Sequence, residues 1–148
     1  MTKKKRLFFV TGILLVVAAI LFLYWFYQPR SLHFADSVTI RSTKEGADWE
    51  VAVTDKEDIQ RLISICSQNE PYPLDAAPGP LYGVESFRCP FDYELTFSGR
   101  GKSVRVRPAS DSCDPIIING EIRSLTNHGE TKKELNEIIG RYTNNMTA

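Results

Sequence analysis

The sequence predicts an α+β domain behind a single apolar N-terminal helix, with its strands and helices in the order ββαββββα. Three observations carry that prediction. An uncharged run from Leu7 to Tyr27 stands apart from everything after it. Apolar and polar residues alternate at a period of two in three places bounded by turn residues. Two further segments place apolar residues at i, i+3, i+4 and i+7, the one-sided stripe of a helix lying on a sheet. Together these predict a mostly antiparallel sheet covered on one face by two helices.

The run Leu7–Tyr27, LFFVTGILLVVAAILFLYWFY, is twenty-one residues long. At about 1.5 Å per residue it reaches the hydrocarbon thickness of a bilayer. Lys3, Lys4, Lys5 and Arg6 precede it, and Tyr24, Trp25, Phe26 and Tyr27 end it. Positive charge on one flank and an aromatic belt on the other predict a signal-anchor: a transmembrane helix with its N-terminus in the cytoplasm and the rest of the chain outside. A cleaved secretory signal would have a shorter apolar core, and no cysteine stands at a lipobox position, the first being Cys66. The expected anatomy is a basic cytoplasmic tail at 1–6, an anchor at 7–27 and one extracytoplasmic domain at 30–148. Zero net charge over the chain hides an asymmetry. Without the four N-terminal cations, fourteen Lys and Arg face eighteen Asp and Glu, a net charge of −4, which argues against a nucleic-acid partner.

The elements follow in order. Val38 and Ile40, then Trp49, Val51 and Val53, alternate with polar residues around a KEG turn and predict a half-buried hairpin. Thr54-Asp55-Lys56-Glu57 has the spacing of a capping box with Thr54 as the cap. The helix behind it carries Ile59, Leu62, Ile63 and Cys66 on one stripe and runs to about Ser67. From Asn69 to Gly83 four prolines and two glycines argue against regular structure and for a functional or mobile loop. A second hairpin joins Tyr93, Leu95 and Phe97 to Val104 and Val106 through GRGK. A third turns at Asn119-Gly120, a pair suited to the positive φ angles of a type I′ turn. Thr131-Lys132-Lys133-Glu134 is a second capping box, and Leu135, Ile138, Ile139 and Tyr142 form the closing stripe.

Cys89 and Cys113 bracket the second hairpin. With GRGK as the loop, Leu95 faces Val106 and Phe97 faces Val104, and the same register sets Cys89 opposite Ser112. One bulge near Ser110 or Asp111 would bring Cys113 face to face with Cys89 and allow a disulfide, closing a loop worth about 3.5 kcal/mol in the chain-entropy model. A zinc site would need more ligands than His33 and His128 can add, and no C-x-x-C is present for redox exchange. Cys66, on an apolar stripe, is expected to be a buried thiol, with pairing between molecules as the alternative for a leftover cysteine outside the cell.

Two surfaces are candidates for binding. Arg105 and Arg107 point away from Val104 and Val106, and Arg100 and Lys102 occupy the adjoining turn, so four cations gather on one ribbon of an acidic domain. Such a ribbon suits lipid headgroups, an anionic wall polymer or an acidic partner, while a plain solvated strand face is the ordinary alternative. Tyr72 and Tyr82, on the Pro-rich loop, offer aromatic contact area. No nucleophile elbow, H-E-x-x-H, S-x-x-K or phosphate-cradling glycine loop occurs, so no enzyme, cofactor or metal is expected. Asp111, Asp114 and His128 are the groups an enzyme of unrecognised type would use.

In that order after a membrane segment, VTDKEDIQRLISIC, DYELTFSGRGKSVRV, IIINGEIRSL and ELNEIIGRY resemble the small extracytoplasmic domains of low-GC Gram-positive bacteria, many of them lipoproteins or single-pass proteins without assigned activity. The likeness spans about residues 37–143 and departs from the lipoprotein members in lacking a lipidated cysteine. It implies location and fold. The functional expectation is a membrane-anchored, non-catalytic module that binds a protein partner or envelope component. An accessory subunit held in a membrane complex through Leu7–Tyr27 is the other non-catalytic reading.

Overall fold

A computed structural model describes residues 3–28, 30–73, 89–110 and 113–144, apart from the side chains at 3–9, 26, 27 and 128. The elements are α1 (Lys3–Tyr27), β1 (Ser37–Ser42), β2 (Glu50–Ala52), α2 (Lys56–Ser67), β3 (Asn69–Pro71), β4 (Tyr93–Gly99), β5 (Lys102–Pro108), β6 (Pro115–Ile118), β7 (Glu121–Leu125) and α3 (His128–Thr143). The α+β class stands. The predicted order needs one correction, a strand between α2 and the second hairpin.

That strand, β3, opens the stretch in which the prolines argue against regular structure. Its Asn69, Glu70 and Pro71 pair antiparallel with Leu125, Ser124 and Arg123. Proline is tolerated because β3 is the outermost strand in the order β2-β1-β4-β5-β6-β7-β3, and an edge strand has no second neighbour awaiting the missing N–H. The stretch 74–88, with Tyr82, lies outside the described residues.

The central register is the predicted one: Leu95 faces Val106 and Phe97 faces Val104. Across four strands Ile40, Leu95, Val106 and Ile118 form one row. With Leu62, Ile63 and Cys66 of α2 and Leu135, Ile138 and Ile139 of α3 they make a single buried cluster, so both helices cover the same face of the sheet. The turns at 100–101 and 119–120 have positive φ at both positions, the backbone a two-residue hairpin demands. Gly99 serves differently. A Cβ there would meet Ala35 Cα at 2.9 Å, so the Leu32–Asp36 segment can lie against the end of β4 only if that position is glycine.

Both helix starts differ from the predicted caps. Asp55, not Thr54, caps α2, its Oδ1 accepting from the N–H groups of Glu57 at 2.7 Å and Asp58 at 3.1 Å. A carboxylate makes the stronger bond and complements the positive helix end. α3 begins three residues before Thr131, behind Asn127 in the left-handed conformation (φ 59) with no side-chain cap. Thr131 lies inside the first turn and donates its hydroxyl to the Thr126 carbonyl.

The Leu7–Tyr27 run lies within helix α1. From Val10 to Trp25 its side chains are exposed. Among the described residues, however, no helix is long and apolar enough to cross a membrane, so the spanning role predicted from sequence is a proposal, taken up below.

Candidate functional site

The helix-free face of the sheet carries the ribbon. Strand alternation there sets Arg41 directly between Glu50 on β2 and Glu94 on β4, with Arg105 opposite Thr96 and Arg107 opposite Ile117. Charges of alternating sign across neighbouring strands attract and set this face against the apolar one behind it. Glu94, Arg105, Arg107, Ile117, Asn119 and Gly120 enclose a cleft of about 430 Å³.

The cleft divides the four predicted cations. Arg105 and Arg107 line it; Arg100 and Lys102 do not. Lys102 shares the parity of Val104 and Val106 and so belongs to the opposite side of the sheet, and Arg100 occupies the turn tip. Tyr72 is also apart: it is half-buried, and burial followed by the nearby Asp114 carboxylate raises its pKa. Of the enzyme candidates, Asp111 and the His128 side chain lie outside the described residues, and among the described residues no three His, Cys, Asp or Glu groups stand close enough to hold a metal.

Within the cleft two arginines face the single carboxylate of Glu94. Among the described residues neither they nor Glu94 enter an ion pair. The Arg107 guanidinium lies 5.8 Å above the Phe91 ring, within cation–π range. Its Nε is a buried nitrogen with no hydrogen-bond partner, an arrangement that costs about 1–3 kcal/mol. Arg105 is exposed, and its backbone is fixed to the tip of the next hairpin: its N–H donates to Asn119 Oδ1 and its carbonyl accepts from the Asn119 N–H, both at 2.9 Å. Ile117 is buried on this face at 4% exposure, outside the main cluster, and gives the cleft an apolar wall.

At one end the cleft neighbours a junction that sequence reasoning missed. Arg123 pairs with Ile116 and so points to the helix-covered side, where it is fully buried. Its Nε donates to Asn69 Oδ1 at 2.6 Å, Nη1 to Glu121 at 2.8 Å, and Nη2 to the Gln28 carbonyl, just past α1, at 3.0 Å. Asn69 also accepts from the Arg30 N–H and donates to the Arg30 and Cys66 carbonyls. Arg30 grips Glu121 through Nε and Nη2 and lies 4.4 Å over the Trp25 ring. Burial alone would raise the Glu121 pKa, but the hydrogen bonds and charges of Arg30 and Arg123 hold it below the ordinary carboxylate value. A second cleft, of about 460 Å³, lies between Trp25, Arg30, Leu32, Val104, Ile118 and Glu121. Asn119 lines both clefts, so the arginines sit beside the end of α1. The signal for this junction was an arginine at a position whose strand parity belongs to the core.

The predicted staple is in place. Cys89 and Cys113 form a disulfide with Cα atoms 6.0 Å apart. Ser110, at the predicted bulge, donates its N–H to the Pro90 carbonyl and accepts the Asp92 N–H on its hydroxyl, and Lys132 Nζ donates to the Cys113 carbonyl. Cys66 is free and buried, its thiol pushed up to about 12 by desolvation. Comparison of the chain with protein-family models, with curated proteins and with solved structures found no match, so no family relation is shown.

Proposed function

We propose that the chain is a membrane-anchored, extracytoplasmic, non-catalytic module that holds an anionic envelope component or an acidic protein partner in the Arg105–Arg107 cleft. The observation that carries this reading is a pair of arginines that enter no ion pair among the described residues, in a concave, partly apolar site beside the end of α1. Two cations facing one carboxylate leave a net positive charge for an external anion to meet.

The anchor half of the reading is supported by the exposed, uncharged surface of Val10–Trp25 and by the basic residues before it. An apolar patch of that size on a helix calls for a covering medium, and lipid fits the flanking charges and aromatics.

Two measurements test the halves separately. The full chain should remain in the membrane pellet after alkaline carbonate extraction, and its release would end the anchor reading. Replacing Arg105 and Arg107 with Glu should reduce retention of the solubilised chain on envelope fractions by roughly thirtyfold or more, since each basic residue near an anionic surface contributes ~1 kcal/mol. Unchanged retention would remove the cleft from the account.

A further inference from the structure

We propose that the Arg105–Arg107 cleft is a phosphodiester site and that its occupant is the headgroup of an anionic phospholipid from the leaflet in which α1 ends. The inference rests on the anchored reading above and deepens it.

The cleft's charge selects the anion. Arg105 and Arg107 against Glu94 leave one net positive charge, which a phosphodiester carrying one negative charge cancels. A phosphomonoester or a run of acidic side chains would overshoot that charge and meet the Glu94 carboxylate. Donor geometry agrees. Arg107 is held against Phe91, which fixes the place of its charge, and among the described residues it enters no ion pair; its buried Nε is out of a ligand's reach, so the donors to a phosphate are the Nη groups. Asn119 has its Oδ1 occupied by the Arg105 N–H, which leaves its Nδ2 hydrogens as further donors at the rim. The apolar wall supplied by Ile117 suits the glycerol carbons next to a lipid phosphate better than it suits a fully hydrated inorganic ion.

Position selects the lipid over a soluble anion. Asn119 walls both this cleft and the one containing Trp25 and Arg30, so the phosphate site stands next to the aromatic end of α1. Trp at a helix end marks the headgroup level of a bilayer. A lipid in the same leaflet is then confined to the plane of the site and meets it at a far higher effective concentration than a solute does, while its acyl chains run along the exposed apolar surface of α1.

The experiment uses the full chain in mild detergent, with native mass spectrometry of lipid adducts on adding phosphatidylglycerol or phosphatidylcholine. Unmodified chain should retain phosphatidylglycerol, and the double variant R105Q/R107Q should weaken that retention roughly thirtyfold, each arginine contributing its usual share near an anionic surface. R61Q, which alters an exposed arginine on α2, should not change it. Glycerophosphoglycerol and inorganic phosphate should compete only at much higher concentration. Equal phosphatidylglycerol retention by R105Q/R107Q, at an unchanged unfolding temperature, overturns the site. Competition by glycerophosphoglycerol at the lipid's own concentration overturns the lipid as its source. An acidic protein that binds stoichiometrically through these arginines while lipid retention stays unchanged overturns the proposal in favour of a protein partner. A chain that carbonate releases from the membrane fails the anchored reading itself; one that stays embedded yet ignores phosphatidylglycerol fails this inference alone.

Discussion

Asn69 shows how much one side chain can hold together. Only 3% exposed, it bonds to Arg123, to both backbone groups of Arg30 and to the Cys66 carbonyl. Asn69→Leu should therefore cost about 2–4 kcal/mol, because several buried groups lose partners at ~1–3 kcal/mol each. Arg123→Met should cost less, since it removes the buried charge along with its bonds. Urea unfolding of the two variants checks the order, and a cheaper Asn69→Leu would show that the amide is incidental. Neither residue was legible as special by type. Arg123 was legible by place: it faces Ile116, and a charge on that parity needs a buried partner. The partner itself was hidden, because Asn69 is fifty-four residues away in a stretch whose prolines pointed to a loop. The burial of Cys66, by contrast, was readable from its helical stripe.

The hairpin between the cysteines is the element that sequence resolves best. A two-residue turn fixes the register, and period-two alternation then assigns each side chain to a face, so the approach of Cys89 to Cys113 could be worked out from residue numbers. The cysteines are 24 positions apart in sequence, and replacing both by Ser should cost about 3.5 kcal/mol. Thiol titration tests the pairing as well: the native chain should show no fast-reacting thiol, the unfolded chain one, and the reduced and unfolded chain all three. Three thiols on unfolding without reductant would exclude the bond. Helix starts were less legible. Thr54 and Asp55 are neighbours, both able to cap, and the choice between hydroxyl and carboxylate depends on backbone angles that a motif does not specify. The ribbon was legible in composition but not in division, because turn residues escape the alternation rule that separates Arg105 and Arg107 from Lys102.

Over the whole molecule, α1 and the sheet meet through Arg30, Glu121 and Arg123, and this contact depends on pH. The Glu121 carboxyl titrates below its ordinary value of 4.5 in the folded chain. It binds protons more weakly folded than unfolded, so its stabilising contribution is complete above about 4.5 and is lost as pH falls through the folded value. Glu121→Gln should be less stable than the unmodified chain at neutral pH and should converge with it in acid. A difference that stays constant down to strongly acidic pH would mean that the carboxylate's charge plays no part. Partial exposure of Glu121 keeps the effect modest.

The bond from Arg123 to the Gln28 carbonyl spans ninety-five residues, and that separation sets an order of events during synthesis. The apolar helix is synthesised well before the guanidinium that fastens its end, which arrives only with β7. Until then the end of α1 lacks that bond. A nascent chain that stops short of β7 carries the helix without this clamp, so the junction closes only after β7 has been made.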